Sequence, residues 1–116
     1  MARSSWIASN ACSGELGCWG KAASWCDCSG FIQGKEYGIT ILDDPENPRF
    51  PTRWHVRAYG LLSANPFGLS AFDKAKPGTG SLTIEPGDMV SFRHVVIVHR
   101  GPPSAAAIMR RVEAPE

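Results

Sequence analysis

The sequence predicts an all-β domain: an antiparallel, sandwich-like arrangement, incomplete on one side, with a short C-terminal helix. Three observations carry that expectation. Twelve glycines and nine prolines interrupt 116 residues too often for a helical bundle. The segments between them hold β-branched and aromatic residues, as at Ile39-Thr40-Ile41 and Val95–Val98. Turn dipeptides recur between those segments at Ser29-Gly30, Asn65-Pro66 and Pro86-Gly87.

Taken in order, residues 1–36 are rich in Gly, Ser, Ala, Cys and Trp without a clean period. They read as short irregular strands and turns, with a strand at Ala22–Cys28 closed by Ser29-Gly30. Tyr37–Asp43 is a clearer strand. The next stretch carries Pro45, Pro48 and Pro51 within seven residues, so it forms a stiff loop. Arg53–Tyr59 reads as a strand whose alternation places Trp54, Val56 and Ala58 on one face and Arg53, His55, Arg57 and Tyr59 on the other. Gly60–Gly68 reads as a bend and Phe72–Thr79 as a polar loop. Gly80–Glu85 and Met89–His99 are expected to form a hairpin around Pro86-Gly87. Its second strand becomes apolar on both faces at Val95–Val98, the pattern of a central position. After Gly101-Pro102-Pro103, Ser104 is placed to cap a short helix over Ser104–Val112.

Composition bounds the function. The length allows one domain, toward the small end of what burial can stabilise. A hydrophobic content of 43% with 20% charged residues is that of a globular chain. With 12 basic and 11 acidic side chains the net charge is +1, and no basic field stands out for nucleic acid. No apolar run is long enough for a secretory leader or a membrane span. The expected address is therefore cytoplasmic by default, and left open if an N-terminal segment is missing; the expected partner is neither nucleic acid nor membrane.

The segment ILDDPENPRFPTRWHVRAYGLLSANPFG, Ile41 to Gly68, resembles the bacterial family labelled methane oxygenase PmoA. That family runs Asp-His-Pro-x-Asn, Pro, Trp-His-x-Arg-x-Tyr-Gly and Asn-Pro-Phe-Gly. Trp25, Asp27, Gly30, Gly34 and Gly38 fall in matching places, as does the segment ending in His99. Asp44 stands where the family tends to have His, Phe50 stands near another such position, and Cys28 replaces an aromatic residue. The resemblance implies the C-terminal portion of a longer β-rich protein. Its label is not carried over as chemistry, because particulate methane monooxygenase spans the membrane and this sequence holds no span.

Within that segment the candidate catalytic residues are His55 as acid or base, Arg57 as an electrostatic group, and Asp43 setting the histidine tautomer. Asn47, Tyr59, Asn65 and His99 are the candidate ligand-binding residues. Such a set suits a polar, carbohydrate-like small molecule, bound with or without turnover. The alternatives are a non-catalytic binding or accessory module and an inactive truncated product. Equally, the same groups are what a structural tie between loop and sheet would use. Cys12, Cys18, Cys26 and Cys28 lack zinc-site spacing and read as free thiols, and no metal or cofactor is implied. A sandwich left incomplete also predicts self-association through exposed strand edges.

Overall fold

The computed structural model describes residues 4–8, 14–73, 76–104 and 108. In chain order these form β1 (Ser4–Ala8), α1 (Gly14–Cys18), β2 (Trp25–Ile32), β3 (Lys35–Asp43), β4 (Trp54–Arg57), β5 (Leu61–Ala64), α2 (Leu69–Phe72) and β6 (His94–Arg100). A four-stranded sheet has the order β1-β2-β3-β6, and β4 and β5 form a second sheet. Every pairing is antiparallel. The fold is all-β.

Strand alternation decides where the core sits. One face of the larger sheet offers Cys26, Cys28 and Ile41, which pack with Ala8, Cys18, Ala23, Trp54 and Val56. The other face offers Trp25 and Leu42, packed with Ile7, Val95, Ile97 and Ile108. On the smaller sheet, Trp54 and Val56 are fully buried, while His55 and Arg57 point away and stay half-buried. The Trp54 indole also donates to the Ala23 carbonyl at 2.9 Å. Replacing such a residue with alanine costs about 3–5 kcal/mol. The smaller sheet stops short of β6, so Val96 and Val98, with Ile39 beside them on β3, remain exposed.

Several expected boundaries move. β2 runs straight through Ser29-Gly30, and the turn to β3 is Gln33-Gly34, both at positive φ (52° and 79°). That two-residue geometry matches the twist of a hairpin. Ser29 is retained in the strand because its hydroxyl serves Asp27. Gly60–Gly68 is not a single bend but contains β5, reached through a tight turn whose Gly60 has φ 109°. Leu61–Ala64 is four residues long, too short for its period to register.

The expected hairpin of Gly80–Glu85 with Met89–His99 does not form. Its turn does: the Asp88 amide donates to the Glu85 carbonyl at 3.0 Å, with Gly87 at φ 90°. Residues 81–93, however, carry no strand. β6 instead pairs with β3, from Tyr37↔Arg100 to Asp43↔His94. Val95–Val98 is thus not a central strand buried on both faces but an edge strand with one half-buried face. The apolar run reflects a strand that needs cover on one side and lacks it on the other. Of the expected helix at 104–112, only Ser104 and Ile108 lie within the described residues; the Ile108 amide donates to the Ser104 carbonyl at 3.0 Å.

Candidate functional site

The Pro-rich loop 44–51 is fastened to the sheet from within. Asp43, at the end of β3, is buried and accepts two hydrogen bonds, from the Thr52 amide at 2.9 Å and from Asn47 Nδ2 at 2.7 Å. Asn47 also donates to the Arg93 carbonyl at 2.7 Å and accepts from the Arg93 amide at 2.8 Å. One amide side chain therefore locks the loop to the residue that precedes β6. Arg49 makes a second fastening. Its guanidinium donates to the carbonyls of Pro66, Gly80 and Ser81, and it lies over the Phe67 ring at 5.6 Å. Arg49 takes a positive φ of 64° to do so, an uncommon conformation for a residue with a side chain.

These fastenings leave an open groove of about 300 Å³ lined by Asp44, Glu46, Asn47, Ser91, Phe92 and Arg93. Asp44 Oδ1 accepts the Glu46 amide at 2.8 Å, which fixes the turn that presents both carboxylates. Phe92 is braced edge-on against Phe67, with ring centroids 5.9 Å apart. The groove is thus lined by residues that carry two carboxylates, a guanidinium and an aromatic ring.

The other expected residues lie elsewhere. His55 and Arg57 do share a face, but that face is packed on aromatics. The His55 ring meets Trp19 and Phe72 edge-on at 6.3 and 5.9 Å, and Arg57 stacks over Trp19 at 4.9 Å. Asp43 does not meet His55; its imidazole neighbour is His94, with Nε2 3.3 Å from Oδ1. Tyr59 is exposed in the turn after β4. Asn65 accepts the Phe67 amide at 3.0 Å, closing the Asn-Pro-Phe-Gly turn. Asp43 and Asn47 are brought together, and His55, Tyr59 and His99 are not with them.

His99 belongs to a buried polar network on the face of the larger sheet that carries Trp25 and Leu42, opposite the smaller sheet. Its Nε2 lies 2.5 Å from Asp27 Oδ2, and its Nδ1 lies 3.1 Å from the Gly101 carbonyl. Asp27 is fully buried and also accepts from the hydroxyls of Ser29 and Thr40, each at 2.5 Å. Two hydroxyl donors and an imidazole nitrogen around one carboxylate are what a charge needs in an apolar interior. Gly38 makes room for the imidazole: a Cβ there would stand 2.4 Å from His99 Cε1 and 2.5 Å from Ser29 Oγ. Both nitrogens of His99 are engaged, so it is turned away from any ligand. Asp27 and Gly38 were visible in sequence as part of the resemblance, but the strand pairing that unites them with His99 was not.

Cys26 and Cys28 are buried free thiols. Burial, helped by the neighbouring Asp27 and Cys28, pushes the Cys26 thiol up to about 12. Cys18 is disulfide-bonded, against the expectation of free thiols throughout. Spacing alone carries no information about which cysteines approach each other in space. Among the described residues no three His, Cys, Asp or Glu side chains gather as a metal site would require. Nor is any described helix long and apolar enough to cross a membrane.

Residues 2–113 match the model of a family of unknown function, DUF6807. The chain belongs to the DUF6807 family. No curated protein and no solved structure matches it. In this DUF6807 chain the matched span takes in both the groove and the Asp27 network.

Proposed function

We propose that this chain is a PmoA-family-like domain that binds a polar, carbohydrate-like small molecule in the groove between loop 44–51 and residues 91–93, without turning it over. The observation that carries the reading is the lining itself. Asp44, Glu46 and Arg93 supply acceptors and donors for hydroxyl groups, Phe92 supplies an apolar ring for a sugar face, and Asn47 holds the two walls in register. The resemblance of Ile41–Gly68 to the PmoA-labelled family supports the placement. An open groove of this kind binds weakly, with a dissociation constant of roughly millimolar order. The disulfide at Cys18 weighs toward an oxidising compartment, against the cytoplasmic address expected by default.

The binding reading is preferred to an enzyme because His55 is committed to Trp19 and Phe72 and contacts no carboxylate among the described residues. One observation favours catalysis: His94, about 29% exposed, rests on the buried Asp43 carboxylate next to Arg93. Turnover of a bound sugar that is lost in H94Q while binding persists would establish that alternative. The binding reading is tested by heteronuclear NMR titration with neutral sugars, uronic acids and amino sugars. The amides of Asp44, Glu46, Asn47 and 91–93 are expected to shift on saturation, and F92A and E46Q to weaken the effect. Absence of localised shifts with all three classes, or shifts untouched by both substitutions, refutes it.

A further inference from the structure

β6 is the edge strand of the larger sheet, and no further strand pairs with it among the described residues. It pairs with β3 over seven consecutive residues in unbroken register, so no bulge twists its outer side away. It contains neither proline nor glycine, and its centre is Val95-Val96-Ile97-Val98. Such a segment offers a row of main-chain donors and acceptors to any second strand. Alternation then sorts its side chains. His94, Val96, Val98 and Arg100 lie on the face that the smaller sheet does not reach, where Val96 is 59% and Val98 75% exposed and Ile39 of β3, directly opposite Val98, is 44% exposed. The opposite edge, β1, is described over the five residues Ser4–Ala8.

We propose that the outer edge of β6 pairs antiparallel with the same edge of a second copy of this chain, joining two four-stranded sheets into one. The strand is self-complementary about Ile97. A two-fold axis there sets Val96 opposite Val98 of the second copy, and Val98 opposite its Val96. The two Ile39 side chains then flank an unbroken valine stripe on one face. Charge permits the same register. Arg100 of the second copy arrives beside His94, whose imidazole lies 3.3 Å from the Asp43 carboxylate. Isologous pairing also closes the edge, leaving no free β6 for further growth.

The test is the association state of the full chain by sedimentation velocity over a range of concentrations, combined with amide hydrogen exchange. The parent is expected to be dimeric at high concentration, with β6 amides gaining protection as concentration rises. V98K places a charge in the stripe and is expected to give a monomer where the parent is a dimer. V96T/V98T keeps the β-branched shape and is expected to lower association without disturbing the fold, which covers the case in which the lysine variant misfolds. M89K, at an exposed apolar residue outside β6, is expected to leave the dimer unchanged. A parent that stays monomeric at every concentration overturns the proposal. So does a dimer that persists in V96T/V98T, or one whose β6 protection does not depend on concentration.

Discussion

Adding a single methyl group at Gly38 should cost this domain a large share of its stability. The Cβ of G38A would stand 2.4 and 2.5 Å from His99 Cε1 and Nε2 and 2.5 Å from Ser29 Oγ, all far inside contact distance. None of those atoms is free to leave. His99 Nε2 and Ser29 Oγ both serve the fully buried Asp27 carboxylate, at 2.5 Å each. If the imidazole swings out, Asp27 loses its cationic-capable partner, and breaking one side of a buried pair costs about 3–5 kcal/mol. Alanine is favoured over glycine in a strand interior by roughly 0.5–1 kcal/mol, which offsets a little of that. The net loss is about 2–4 kcal/mol, against the roughly 5–15 kcal/mol typical of a domain. Urea denaturation followed by tryptophan fluorescence reads it as a lowered midpoint with unchanged slope. The double variant G38A/H99A, which empties the space the methyl enters, should depart from additivity. If G38A denatures at the parent's midpoint or above it, the imidazole does not occupy that space and the network is misdescribed.

Two further outcomes follow from the same contacts. N47A removes three hydrogen bonds that join loop 44–51 to Asp43 and Arg93, and should lower stability by about 1–3 kcal/mol while broadening the NMR signals of Phe92 and Arg93; an unchanged spectrum at those residues would contradict the clamp. Cys26 should resist iodoacetamide in the folded chain at pH 8 and react once urea is added, as read by intact mass, because burial keeps its thiol protonated up to about 12. The sign of the linked stability effect is fixed by the raised value. The folded chain holds that proton more tightly than the unfolded one, so the contribution is complete below the ordinary thiol value of 9.0 and is withdrawn as pH climbs from there toward 12.

How much of this was legible beforehand depended on the range of the interaction. Local patterns reported faithfully: the β3 strand from Ile39-Thr40-Ile41, the split of Trp54 and Val56 from His55 and Arg57, and the Pro86-Gly87 turn all follow from neighbours in sequence. Partnership did not. Nothing near Val95–Val98 says that its neighbour is β3 and not the segment before Pro86, because antiparallel pairing is decided by burial elsewhere. The candidate site shows the same division. Asp43 and Asn47 are four residues apart and do meet. Arg93 joins them from 46 residues away and Asp27 reaches His99 across 72, and neither link leaves a local trace. Arg49 was passed over for a related reason, since an arginine in a proline-rich loop gives no sign that it will take positive φ to reach three carbonyls.

That last residue has a bearing on how this chain tolerates change. Arg49 grips main-chain oxygens only, those of Pro66, Gly80 and Ser81. A carbonyl is offered by every amino acid, so the grip is blind to what side chains stand at 66 and 81, and those positions are free to drift. Gly80 is the exception, because a Cβ there would come within 2.8 Å of the Leu69 Cβ. The fork itself has no substitute: lysine brings one charged centre where three carbonyls in different directions need several donors fixed in a plane. Arg49 thus ties loop 44–51 to two other stretches without regular secondary structure through atoms that carry no side-chain identity. Related chains that look unalike across 65–81 are expected to keep this arginine and this glycine.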